Sequence, residues 1–467
     1  MSLIASTPMN LPRRSRGFLR PNFIFGYGLI ITFIFFVAGL IVIHEGSVLQ
    51  FGYPLGAGCL AFFLYAWRRS VYVAFVWWIW LFTPEVRRLV DFQTSYHIVS
   101  IIMVTPLLVT LISISYVLRT PRRLLNRKVL PFSVFGLVLI YGLCVGLIVA
   151  GPAAALYDFA SWFSPLCFGT YLLLDGERFN ENRNAFISAN MIGLLGTAAY
   201  GLYQFYHFPP WDAYWLTNSN LHSGGQGIAE DVRLFGPLNS PLPYGIALMI
   251  PLTLALVTKG PVRIVGAFIG FPALGLSLVR IAWLGWLLAA TYLLTRMGGK
   301  ARIRVVLSAI VIAILAYPLV TVGPVADAIS KRLASFNNIQ QDGSYQARAS
   351  LYGREVAGAL SQPIGLGLGT ASIASKLSTG TEGGFDSGIL ELPLVFGWVG
   401  SLLIVWVLVV LAIRTLAIAR SKTDRIGLAA AGIFLGMLLQ PVGEQSFAGF
   451  LGLATWCFAA IAYRGKA

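Results

Sequence analysis

The chain has 467 residues, 57% of them hydrophobic and only 11% charged, against roughly 25% charged in soluble domains. That much apolar surface cannot be hidden in one water-soluble core, and it comes in blocks of about 17–25 residues, the length that spans a hydrocarbon core. A soluble enzyme on a single anchor is excluded, and the net charge of +16 has to be understood by position before it is read as nucleic-acid binding.

Residues 1–21 carry Arg13, Arg14, Arg16 and Arg20 with no small-residue cleavage site, so they read as a cytoplasmic basic tail ahead of a retained span. Hydropathy then predicts an all-α polytopic membrane protein of about fourteen transmembrane helices. The spans fall at 22–44, 47–67, 70–84, 96–117, 129–150, 156–174, 185–206, 241–258, 264–279, 281–295, 303–325, 386–413, 426–442 and 446–463. Residues 22–325 thus hold the first eleven spans, with an outward loop at 207–240. A large, partly helical outward loop follows at 326–385, then the last three spans at 386–463 and a cytoplasmic tail at 464–467. Alternating the spans from a cytoplasmic N-terminus puts 25 of the 34 Lys and Arg on the cytoplasmic side. It puts 14 of the 18 Asp and Glu in or at the edge of outward segments. This is the positive-inside rule, and it accounts for the charge without a nucleic-acid partner. Cys59, Cys144, Cys167 and Cys457 all lie inside apolar stretches, so no disulfide framework is expected.

Within the long outward loop, the stretch 344–361 suits a helix, with Arg348, Leu351, Tyr352, Glu355 and Val356 at three- and four-residue spacings. Pro363 ends it, and PIGLGLG reads as a flexible loop that brings backbone close to a neighbour.

Ionisable residues out of place in the apolar pattern are functional candidates by default. Arg280 interrupts GFPALGLSLVRIAWLGWLLAA at an outward helix–helix turn, with no other charge within fifteen residues on either side. An outward lone arginine runs against the orientation rule, which favours function over simple snorkelling. Arg233, in EDVRLFGPLNSPLPYG, either serves a ligand or pairs with Glu230 and Asp231. For Arg348 and Arg354, spacing alone favours a solvated helix face. Arg87 and Arg88, in TPEVRRLVDF, read as an outward ion-pair cluster with Glu85 and Asp91. Asp386 fits a helix cap; Glu391, inside an apolar run, needs a partner or a wet cavity, and Glu444 is a weaker case of the same kind.

Such parts suit electrostatic chemistry. Arginines at the membrane surface clamp a phosphate or diphosphate bidentately, and a nearby carboxylate takes a proton from a hydroxyl. The four histidines are scattered and no acidic pair has ligand spacing, so neither a metal nor another cofactor is expected. There is no glycine-rich phosphate loop with its lysine, which argues against ATP-driven work.

Four segments resemble the O-antigen ligase and polymerase superfamily of bacterial envelope enzymes. Arg233-Leu-Phe-Gly, followed by Asn239 and Pro241, is similar to the family's Arg-x-x-Gly…Asn-Pro lead into a span. Arg280-Ile-Ala-Trp-Leu-Gly is similar to its Ser-Arg-x-x-Trp-Leu-Gly turn, with Val279 in the serine position. Arg348 ahead of Pro363–Gly369 resembles the loop arginine before a Pro-x-x-Gly-x-Gly stretch. Asp386 to Gly400 resembles the start of the span after the loop, with Asp386 where many ligases have histidine. That difference, with TPEVRRLVDF, favours the exopolysaccharide-polymerase subgroup.

The resemblance implies a GT-C-like fold in the bacterial inner membrane and a metal-independent, inverting glycosyltransferase. Its substrate would be an undecaprenyl-diphosphate-linked glycan, polymerised at the periplasmic face, with a polysaccharide co-polymerase as partner. Asp386 would be the general base and Arg280 and Arg348 the diphosphate clamp. Arg233, Arg354, Glu391 and Tyr352 would bind substrate. A ligase acting on a lipid or protein acceptor and a lipid-linked oligosaccharide flippase are the alternatives; the flippase is disfavoured because no internal repeat is visible.

Overall fold

The computed structural model describes residues 21–219, 225, 227–300, 356–371, 373–379, 387–418 and 424–464, with scattered positions between 302 and 353. Every regular element among them is helical, apart from one isolated bridge between Gly225 and Val232. The helices are α1 (Pro21–Val42), α2 (Gly46–Trp67), α3 (Arg69–Gln93), α4 (Thr105–Leu111), α5 (Ile114–Leu118), α6 (Pro121–Leu124) and α7 (Leu130–Val149). They continue with α8 (Pro152–Leu174), α9 (Phe179–His207), α10 (Pro210–Asn218), α11 (Pro241–Ala255), α12 (Pro261–Leu276) and α13 (Arg280–Arg296). After the long loop come α14 (Gly388–Ile418), α15 (Arg425–Met437) and α16 (Gly449–Arg464).

Seven described segments are long and apolar enough to cross a membrane: 24–42, 46–67, 101–118, 130–149, 179–207, 388–417 and 425–442. Three shorter apolar helices, α11, α12 and α16, accompany them. The chain is therefore a multi-pass membrane protein. Its rim helices turn apolar side chains outwards, with Phe35 of α1 73% exposed and Ile148 of α7 87% exposed. In water such a surface would be a liability; against lipid it is the natural solvent-facing side. The interior is built from α8 and α16, packed on each other, with α3 against α9.

Turn chemistry sets several of the helix starts. Proline opens α8, α10, α11 and α12, where its missing N–H has no intrahelical partner to lose. Gly151 and Gly260, at φ 83° and 107°, turn the chain immediately before two of these prolines.

Three expectations change. First, the span expected at 70–84 is a longer helix: α3 carries TPEVRRLVDF as its last turns, with Pro84 inside it, and not as an outward loop. Arg87, Arg88 and Asp91 are consequently buried; they can be, because their charges meet one another within the protein. Second, the span expected at 96–117 is broken into a short 3₁₀ turn at Ile101–Val104, then α4 and α5.

Third, the 363–369 run is irregular backbone packed and hydrogen-bonded against neighbouring helices, and not a flexible loop. Leu366 and Gly367 donate to the carbonyls of Leu394 and Val395, and Leu368 donates to Gly142. Gly365, Gly367 and Gly369 all have positive φ (85°, 81° and 92°). A Cβ on Gly367 would stand 2.1 Å from the nitrogen of Gly146, and one on Gly365 would stand 2.4 Å from that of Gly397. Only glycine allows this segment to lie against the backbones of α7 and α14. The expected helix at 344–361 lies mostly outside the described residues; within it, 356–360 is helical.

Candidate functional site

The basic turns gather at one end of the bundle. Arg68 pairs with Glu181 at 3.7 Å, Arg69 with Asp175 at 3.6 Å, and Arg183 with Asp424 at 2.7 Å. Arg123 and Arg464 donate to the carbonyls of Leu174 and Leu173. The opposite end carries the candidate site.

Arg233 reaches the turn that carries Arg280 there, although the two arginines are 47 positions apart along the chain. Arg233 Nη2 donates to the carbonyl of Leu278 at 3.4 Å, and Leu278 lies two residues before Arg280. The α12–α13 turn that presents Arg280 is held locally. Ser277 Oγ accepts from the amide of Val279, and Trp283 Nε1 donates back to the carbonyl of Leu274 at 2.8 Å. Leu278 takes φ 53°, a left-handed conformation unusual for a branched residue, and so turns the chain within three residues. Gly285 completes the Arg-x-x-Trp-Leu-Gly pattern for a packing reason: a Cβ there would stand 2.7 Å from Met249 Sδ and 2.9 Å from Gln440 Nε2. Both arginines are half-buried, and the Nε of each is enclosed by protein.

An acidic wall adjoins them. Gln440 Nε2 donates to the carbonyl of Ile281 at 3.3 Å, tying the start of α13 to the turn between α15 and α16. That turn carries Glu444, and Gly388 at the start of α14 lies so close that a Cβ would stand 2.9 Å from the Glu444 carbonyl oxygen. Ser387 Oγ accepts from the amide of Leu390, which supplies the cap for α14. Glu391 follows in the first turn, 2% exposed, within electrostatic reach of Asp158 and Glu444. Asp158, also 2% exposed, accepts from the amide of Gly369 at 2.7 Å, which fixes the end of the glycine run.

A third group lies behind Arg233. Arg88 of α3 is completely buried and pairs with Glu85 and with Asp212 of α10, the latter at 3.3 Å. Its two terminal nitrogens donate to the carbonyls of Gly236 at 2.6 Å and Leu238 at 2.9 Å, and its carbon lies 4.9 Å from the centre of the Phe235 ring. Gln204 of α9 faces the same segment, its Oε1 accepting from the amides of Phe235 and Gly236 at 3.1 and 2.9 Å. The Tyr200 hydroxyl is 2.7 Å from Glu85 and 2.9 Å from Asp212, and Trp211 donates to its oxygen. A hydroxyl has one hydrogen, so satisfying both carboxyl contacts places a hydrogen on one of the two acids. Consistently, burial raises the Asp212 carboxyl above its ordinary range, against the opposing pull of Arg88, Gln204 and Tyr200.

The structure thus brings together Arg233, Arg280 and the Glu391 side of α14. Asp386, Arg348, Tyr352 and Arg354 lie outside the described residues. The ion-pair reading of Arg87 and Arg88 holds, since Arg87 meets Asp91 at 3.2 Å, and the cluster is buried within the protein. Sequence reasoning missed Asp158 and Asp212. Asp158 sits six residues inside an apolar helix and satisfies the same test that singled out Glu391; Asp212 was hidden in an aromatic-rich segment that looked like loop. Among the described residues, no three His, Cys, Asp or Glu side chains converge as a metal site. No protein-family model matches the chain, and no curated protein matches it either.

Proposed function

We propose that this chain is a glycosyltransferase that polymerises undecaprenyl-diphosphate-linked repeat units on the periplasmic face of the bacterial inner membrane. The observation that carries the reading is the bond from Arg233 to the carbonyl of Leu278, two residues before Arg280, at the end of the bundle remote from the basic turns. About fourteen crossings with both termini cytoplasmic fit it. The seven long apolar segments and three shorter apolar helices among the described residues support a multi-pass arrangement of this kind.

The reaction asks little covalent work of the protein. The acceptor hydroxyl oxygen forms a bond to the anomeric carbon as the bond from that carbon to the diphosphate oxygen breaks. The diphosphate leaves with the electron pair, and the acceptor proton passes to a carboxylate, in this reading Asp386. A single displacement inverts the anomeric centre. Arg280 and Arg348, with Arg233 in support, neutralise charge developing on the diphosphate. Guanidinium groups do this without a proton balance of their own, and more strongly where protein excludes water. Tyr352, Arg354 and Glu391 line the glycan side, and apolar helix surfaces hold the polyprenyl chain. A polysaccharide co-polymerase is the expected partner.

The test is single substitution of Arg280, Arg348 and Asp386 by Ala, with polymer chain length measured in cells and transfer measured on synthetic lipid-linked substrate. Each variant is expected to lose about 100-fold or more in turnover, the scale of removing one preorganised charge-stabilising group. Wild-type polymer from all three, at normal expression, ends the proposal. On deletion, accumulated single repeat units mark a polymerase and unattached long chains mark a ligase.

A further inference from the structure

We infer that Arg88 is a positioning residue: it fixes the segment 232–240, and with it the place of Arg233 relative to Arg280, without touching substrate. The catalytic part rests on the transfer reaction proposed above; the structural part does not.

Residues 227–240, ahead of α11, have little regular structure of their own, so other parts of the protein must hold their backbone. Leu234 donates to the carbonyl of Leu276 at 3.2 Å, and Trp215 Nε1 donates to that of Asn239 at 3.3 Å. Gln204 takes the amides of Phe235 and Gly236. The carbonyls of Gly236 and Leu238 both go to Arg88. A planar fork with fixed N–H directions can bind two carbonyls and a carboxylate together, which a lysine ammonium does with less defined geometry. Gly236 makes the bend possible: its φ is 52°, and a Cβ would stand 2.2 Å from the Tyr244 ring.

A fully buried arginine with two acids is a costly way to gain stability, since apolar packing of the same volume commonly serves as well or better. Its use here is geometric. Arg88 grips the chain three residues after Arg233, and the Arg233 guanidinium on the far side meets Leu278 beside Arg280. Because Arg88 is wholly buried, its influence on a lipid-linked diphosphate must pass through this segment.

The experiment uses full-length protein in lipid nanodiscs. In the Arg88→Lys variant, amide hydrogen exchange at 234–238 should quicken about tenfold or more while α14 and α16 are unchanged. On synthetic lipid-linked substrate, Arg88→Lys should cost about tenfold in turnover in the wild-type background, but less than about twofold when Arg233 is already Ala. Should Arg88→Lys fail to fold, Gln204→Met, which loosens the same segment without leaving a buried charge, must give the same exchange pattern. Unchanged exchange at 234–238, or an equal loss of turnover in both Arg233 backgrounds, overturns the inference. If the wild type transfers no glycan, the transfer reading falls and the exchange measurement alone decides the role of Arg88.

Discussion

The two ends of the bundle use charge in opposite ways. At the basic end, arginines from successive turns reach neighbouring helices through partly exposed pairs such as Arg68–Glu181, where the side chains are 24% and 40% exposed. At the other end, Arg88 and Asp212 are wholly buried, and Arg233 and Arg280 are half-buried. Exposed pairs are replaceable, because water can take over either partner. Buried ones are not, because removing one partner strands the other in a low-dielectric interior. The basic end staples neighbouring helices together, whereas the other end gives particular segments a fixed place.

The sharpest way to break this comparison is Asp212→Ala, which leaves Arg88 short of a carboxylate. It is expected to cost about 3–5 kcal/mol in stability, read as a large drop in thermal midpoint in detergent. Arg183→Ala, which cuts the nearly buried 2.7 Å pair with Asp424, should cost about 1–2 kcal/mol. Arg68→Ala should stay within about 0.5 kcal/mol. Neither should alter transfer. A cost for Arg68→Ala equal to that of Asp212→Ala would erase the distinction between the ends.

A smaller effect tests the hydrogen in the buried network. Asp212 is raised in the fold above its ordinary value of 3.8, with burial the largest cause. The protonated form is therefore favoured by folding. The contribution is complete below the unfolded value and is lost as pH rises from there through the folded value, by at most about 1.4 kcal/mol per pH unit. The stability of the wild type relative to Asp212→Asn should accordingly fall as pH is raised from about 4 and then level off. A relative stability that rises over the same range would contradict the assignment. Glu85, Arg88, Tyr200 and Gln204 surround the group in both proteins and should be kept intact in the comparison.

Much of the site was legible because a membrane makes misplaced charge conspicuous. Arg280 and Glu391 stand out against uniform apolar runs, and Trp283 and Gly285 mark a turn and a close helix contact. Arg88 was read correctly as paired, but its main partners, the carbonyls of Gly236 and Leu238 and the carboxylate of Asp212, lie about 120–150 positions away. Backbone carbonyls carry no residue-type signal, so no sequence pattern announces them. The glycine run was seen as a place of close backbone approach, but it looked flexible, because the helices that grip it belong to α7, α8 and α14.

The sequence by itself determined that the chain is helical and lies in a membrane, because lipid demands long apolar segments with internally paired backbones. It also marked, by the uneven spread of charge, which ends of the helices share a side. Only the tertiary structure decided that the last turns of α3 are helical and buried, and that Arg233 reaches the turn before Arg280. Those outcomes depend on long-range pairing of charges and carbonyls, and the free energy of a buried charge is fixed by its neighbours in space rather than by those along the chain.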